Sequence, residues 1–168
     1  MPHPLVLQLR FARSEFKRAL RGVKDEDARQ RIMPMNCISW NVGHPAWQEQ
    51  RYWLNLRGIV LLPQLNTDYA FGAPACTPPL KEVWKAWRTV TEAADPWLDT
   101  LDSEQLAAPV IVDGKPTGRT YGTLMLRTTY HYWYHTGENM AVRQMLGHSR
   151  LPFFVGNIDS EAPYKPEA

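Results

Sequence analysis

Residues 128–148 read TTYHYWYHTGENMAVRQMLGH, and the spacing within this stretch governs how the rest of the chain is read. Continued back to Thr120, the positions Tyr121, Leu124, Met125, Thr128, His131, Tyr132, His135, Glu138, Asn139, Val142 and Met145 recur every three or four residues. That is the period of a helix with one inward stripe. Gly147 supplies its C-terminal stop, so a helix is predicted over 120–146. The middle of the stripe is polar. On a helix, positions four apart differ by about 40° around the axis and about 6 Å along it, so His131 and His135 present their imidazoles to one point.

Upstream, Leu80, Val83, Trp84, Trp87, Val90, Ala94, Trp97, Leu98 and Leu101 form a second stripe, predicting a helix over 80–101 despite Pro96. Between the two, APVIVDGKPTGR (108–119) places β-branched residues before Asp113-Gly114, the signal of a small hairpin. Residues 63–79 are rich in proline and glycine, lack a period and are read as a long loop. Extended, such a loop crosses roughly 55 Å, whereas a helix over 36–62 is about 39 Å long. It can therefore return along the bundle and leave its flanking helices parallel.

The helix predicted over 36–62 is stopped by Pro63 and interrupted by Pro45, where a kink or a fresh start is expected to re-aim His44. A first helix over 4–22 follows from Leu5, Leu9, Ala12, Phe16 and Leu20, with Arg10, Arg13, Lys17 and Arg18 turned outward and Gly22 at its end. Lys24 to Arg31 is a polar connection. In the tail, 148–168, Leu151, Phe153, Phe154 and Val155 are expected to dock on the helices before the last residues fray. The fold class is thus all-α, a single four-helix bundle occupying 1–168 as one domain.

A net charge of +2 gives no basic field for nucleic acid, and no apolar run approaches the roughly 20 residues of a membrane span. Two cysteines, Cys37 and Cys76, with no secretory segment point to a reducing, cytoplasmic setting. Seven tryptophans and seven tyrosines exceed what helix packing requires; core filling is the first expectation, a lined pocket the second.

His44 falls in the middle of the second predicted helix, and a buried imidazole costs free energy unless something binds its lone pair. Three neutral imidazoles on one divalent ion leave positions open for water or substrate. Zinc, nickel and iron all suit such donors. Cys37 lies about 10 Å along the axis from His44, too far for a fourth ligand.

ISWNVGHPAWQEQRYW around His44 and TTYHYWYHTGENMAVRQMLGH around the pair resemble the DinB-like superfamily over nearly the whole chain. The resemblance implies an up-down-down-up bundle with a long crossover between helices 2 and 3. It also implies metal ligation by His44, His131 and His135. Members with known chemistry are thiol-dependent S-transferases and a thiol-dependent maleylpyruvate isomerase. A related branch forms the iron-binding domain of ergothioneine-type sulfoxide synthases and carries a glutamate two residues after the pair; here Glu138 follows His135 by three.

Around the ligands, Glu138 is a candidate catalytic base or acceptor of a ligand imidazole N–H. Asn41, Gln48 and Arg127 are candidates for substrate or cofactor binding, the amides from the face they share with His44 and Arg127 as a partner for an anion. Tyr130, Trp133 and Tyr134 are candidates for the wall of the entrance, and His3 and His148 are expected at the surface. The leading expectation is one divalent metal ion with a low-molecular-weight thiol as co-substrate, transferring sulfur to a small electrophilic substrate. A metal-dependent hydrolase and a non-catalytic metal-binding or small-molecule-binding bundle are the alternatives. A homodimer would follow from an exposed Trp or Tyr patch on helix 3.

Overall fold

The computed structural model describes residues 2–153 and 155–166. In chain order it contains α1 (Pro4–Ala19), α2 (Asp25–Ala28), α3 (Ile38–Glu49), α4 (Leu65–Asp68), α5 (Leu80–Leu98), α6 (Ser103–Ala107), β1 (Pro109–Val112), β2 (Lys115–Thr120), α7 (Tyr121–Met145) and α8 (Ile158–Glu161). The fold is mostly helical, with one small antiparallel hairpin. No described helix is long and apolar enough to cross a membrane.

α7 matches its sequence pattern closely. Thr120 caps it, its hydroxyl accepting the N–H of Thr123 at 3.2 Å, which satisfies one of the first-turn donors. Leu124, Met125, Thr128, Tyr132, His135, Asn139 and Val142 are buried as the stripe requires. Met145 is exposed instead, because the last turn lies outside the core.

α3 has no stripe because it has no outer face: all twelve of its residues are buried. It runs through Pro45 as one α-helix, so no fresh start occurs there. Beyond Glu49 the helix widens into a π turn, Gln50–Leu54, and ends in a 3₁₀ turn, Asn55–Arg57. The expected end at 62 is therefore too late. The chain reverses at Gly58, and the buried Gln50 amide grips the backbone of Leu62, donating to its carbonyl at 3.0 Å and accepting its N–H at 2.9 Å.

α1 packs against α7, and α3 against both α5 and α7. Leu9, Phe16, Trp53, Leu98, Leu124 and Tyr132 are among the largest fully buried side chains, and each contributes on the order of 2 kcal/mol by leaving water. Arg13, expected outside, is buried as well. Its guanidinium is paired with the carboxylate of Glu49, Nε to Oε1 at 2.7 Å, and with Asp95 at 2.6 Å. Glu49 also accepts the Tyr132 hydroxyl at 2.6 Å, and that hydroxyl accepts the Trp87 indole N–H at 2.7 Å. One polar chain thus ties α1, α3, α5 and α7, with each buried group satisfied.

α5 buries Leu80, Val83, Trp87, Val90, Ala94 and Leu98 and stops at Leu98, three residues before its predicted end. Trp84 and Trp97 are half-buried against the core, so α5 lacks the exposed aromatic patch that would have argued for a dimer. The expected 108–119 hairpin is present, with Asp113 and Gly114 both at positive φ in its turn. The polar connection contains α2, and the 63–79 loop contains α4.

In the tail Leu151 and Val155 are half-buried, Phe153 is exposed, and Phe154 lies outside the described residues. Hydrogen bonds hold this segment more than apolar docking does. Arg18 donates to the Phe153 carbonyl at 2.5 Å, the Gly156 N–H donates to Glu15 at 2.7 Å, and Gln8 donates to the Ala162 carbonyl at 2.7 Å.

Candidate metal centre

α3 and α7 bring His44, His131 and His135 together. Their ring centroids are 4.8 Å (His44–His131), 5.2 Å (His44–His135) and 4.5 Å (His131–His135) apart. One ring nitrogen of each lies within 4.8 Å of the others.

Hydrogen bonds at the far side of two rings decide which nitrogens converge. His44 Nδ1–H donates to the Tyr69 carbonyl at 2.6 Å, and His135 Nδ1–H donates to Glu138 Oε2 at 2.7 Å. With Nδ1 engaged as a donor, Nε2 is the ring nitrogen left to bind a cation. His135 Nε2 meets His131 Nε2 at 3.0 Å. His131 Nδ1 is buried without a partner. A cation among the three Nε2 atoms would use these lone pairs, and the residues fit one divalent ion with positions to spare.

Burial also favours the neutral form of His44 and His131. Burial pushes His44 down to about 4 against the opposing pull of the Tyr69 carbonyl, and burial with the neighbouring His135 and His44 pushes His131 down to about 2. Protons therefore compete little for either ring near neutral pH.

Packing fixes the His44 ring. Trp40, one turn before it, stacks at 4.7 Å and 17°, and Trp47, nearly one turn after, stacks at 5.2 Å and 21°. Both indoles are tied to the 63–79 segment, Trp40 to the Asp68 carbonyl at 3.1 Å and Trp47 to Asn66 Oδ1 at 3.2 Å. The segment reaches α3 so closely because residue 43 is glycine: a Cβ there would overlap the Tyr69 ring. The long loop thus supplies the backbone acceptor that orients the His44 ring.

The expected surroundings divide. Glu138 orients His135 rather than standing free as a base. Gln48 and Arg127 line a cavity of about 440 Å³ that opens from His44 and His131, together with Trp47, Arg51, Tyr52, Phe71, Tyr130 and Tyr134. The Gln48 amide oxygen is buried and unpartnered. Asn41 does not reach this cavity; it donates to Asn139 Oδ1 at 3.0 Å, a contact between helices. Trp133 packs on Phe11 at 6.0 Å, away from the entrance. Cys37 caps α3 and touches Ser39 and the Cys76 carbonyl, remote from the histidines. His3 and His148 are half-buried, His3 accepting the N–H of Leu5 and His148 meeting Asp27 at 3.2 Å.

Sequence reasoning missed Tyr69, which acts through its carbonyl and so leaves no residue-type signal. It also missed Arg51 and Trp47, the latter three residues after His44, whereas Trp40, four residues before, was legible as a W-x3-H element. The family model for the DinB superfamily matches residues 8–138, more than half of the chain and all three histidines. No curated protein matches the chain.

Proposed function

Because the chain belongs to the DinB superfamily, we propose that His44, His131 and His135 hold one divalent ion and that the protein is a metal-dependent thiol S-transferase acting on a small electrophile. The observation that carries this reading is the convergence of three imidazole nitrogens, two of whose rings, His44 and His131, line an open cavity, without a fourth protein ligand among the described residues. A divalent ion held there would stabilise a thiolate at neutral pH.

The chain's own groups then have separable tasks. Glu138 and the Tyr69 carbonyl fix the His135 and His44 rings. Arg51 and Arg127 offer cations at the cavity wall to the carboxylates of a peptide-like thiol, and Gln48 offers a buried acceptor. Phe71, Tyr130 and Tyr134 give the electrophile an aromatic wall. The hydrolase alternative requires a free base, and the engagement of Glu138 with His135 weighs against it.

We read the four long helices as the up-down-down-up bundle of this superfamily. Contacts Phe11–Trp133 and Arg143–Ala19 run in register along α1 and α7, which makes them parallel. Asn41–Asn139 and Glu49–Tyr132 run in opposite register along α3 and α7, and Arg10–Asp99 with Lys17–Trp87 does so along α1 and α5. Those contacts support reading α3 and α5 as running in the same direction, joined by a crossover over 58–79.

The test is titration of metal-loaded protein with glutathione, bacillithiol and mycothiol, followed at the metal absorption edge, with conjugation assayed on a panel of electrophiles. Binding of one thiol, and its loss in Arg127→Ala, is expected. Absence of any thiol binding, with turnover of esters or amides instead, would reject the transferase in favour of the hydrolase.

A further inference from the structure

A groove of about 770 Å³ runs between α1 and α5, away from the histidine cavity, with no residue in common. Its two ends differ in charge balance. At one end Arg10 pairs with Asp99 at 2.7 Å and Arg13 with Asp95 at 2.6 Å, which closes α1 onto α5. At the other end Lys17 on α1, Arg21 in the turn that follows α1, and Arg88 on α5 line the groove together. Among the described residues none of these three cations pairs with a carboxylate, although Arg18 nearby pairs with Glu15. Glu92 is the acid left to oppose them in the groove lining once Asp95 is taken by Arg13.

The floor here is aromatic. Trp84 and Trp87 meet edge to face at 5.4 Å, Trp84 rests on Phe16 at 5.9 Å, and the Lys17 ammonium stands 5.8 Å from the Trp87 ring. The volume lies in the range of small-molecule sites, and uncompensated cations above an indole floor suit a ligand with a charged head and an apolar body. Three cations from α1, the turn after it and α5, gathered in one groove, also exceed what solubility asks of a chain with net charge +2.

We propose that this groove is a second ligand site, binding a small molecule with two or more negative charges between Lys17, Arg21 and Arg88, over Trp84. Anionic groups displace water from the guanidinium faces and make charge-assisted hydrogen bonds to Arg21 and Arg88. The site is independent of the metal centre.

The test is a titration of the full chain by two-dimensional NMR of backbone amides and indole N–H groups, with fructose 1,6-bisphosphate and, separately, glutarate. Saturable shifts at Trp84 and over 14–21 and 84–92 are expected from at least one of them. Phosphate and carboxylate preference is read from which one saturates first. Arg21→Ala and Arg88→Glu, each checked for an unchanged melting curve, are expected to weaken binding at least about tenfold. Lys115→Ala, in the hairpin, is expected to leave it unchanged. Failure of both probes to bind, or binding that survives Arg88→Glu, would overturn the proposal.

Discussion

His131 Nε2 and His135 Nε2 lie 3.0 Å apart, while the far nitrogen of His135 is held by Glu138 at 2.7 Å. Two imidazole acceptors at that separation repel unless a proton or a cation lies between them, and the Glu138 hydrogen bond favours the His135 tautomer whose Nε2 is such an acceptor. Removing the carboxylate with Glu138→Ala is expected to lower metal affinity about 10–100-fold. Glu138→Gln, which keeps an acceptor without the charge, is expected to fall between. Competition with a metal-sensitive chelating dye measures both, and wild-type affinity in Glu138→Ala would remove Glu138 from the site.

Gly43 and Gly137 both lie next to the histidines, yet alanine is expected to act on them in opposite directions. At Gly137 an added Cβ meets nothing within 4 Å, so Gly137→Ala is expected to stabilise by about 0.5–1 kcal/mol through helix propensity. At Gly43 the Cβ overlaps the Tyr69 ring, so the 63–79 segment must move. Overpacking of this kind costs about 1–3 kcal/mol, and loss of the Tyr69 carbonyl from His44 is expected to weaken metal binding too. Urea unfolding of the two variants gives the comparison; equal shifts would contradict it.

Arg13→Met would leave the Glu49 carboxylate buried with the Tyr132 hydroxyl as its remaining hydrogen-bond partner among the described residues. A cost of about 3–5 kcal/mol is expected, and the double change Arg13→Met with Glu49→Leu is expected to recover much of it. A double-mutant cycle in urea measures the coupling. A double variant no more stable than the single one would show that packing, not charge, governs this position.

Glu15 accepts from Arg18 at 2.6 Å and from the Gly156 N–H at 2.7 Å, and these donors, Arg18 foremost, lower its pKa against the cost of burial. A carboxyl depressed in the folded state contributes stability that is present above its unfolded pKa of about 4.3 and is lost as pH falls through the folded value. The stability difference between wild type and Glu15→Gln is therefore expected to be largest near neutral pH and to shrink under acid. Proteolysis of the C-terminal segment should quicken in the variant. A pH-independent difference would mean that Glu15 does not titrate with folding.

Helix positions were legible where one face is wet and one dry, as in α1, α5 and α7. α3 was harder because burial on every side removes the period, and its end depends on Gln50 holding Leu62, a contact that sequence spacing does not reveal. Arg13 was read as a surface arginine because its partner, Glu49, is 36 residues away on another helix. The histidines were legible from spacing and burial together. The Tyr69 carbonyl was not, since every residue carries that group, and of the indoles stacked on His44 the spacing of Trp40 was legible as a W-x3-H element, whereas Trp47 was not distinguished from core filling.

The central claim is that His44, His131 and His135 form one metal site. Metal analysis of protein purified without chelator, repeated after dialysis and reloading with zinc, nickel or ferrous iron, tests it directly. About one ion per chain is expected, falling to near zero in His131→Ala and in His135→Ala with the helical circular dichroism retained. A chain that takes up none of the three metals, or that binds one equally well without either histidine, would contradict it.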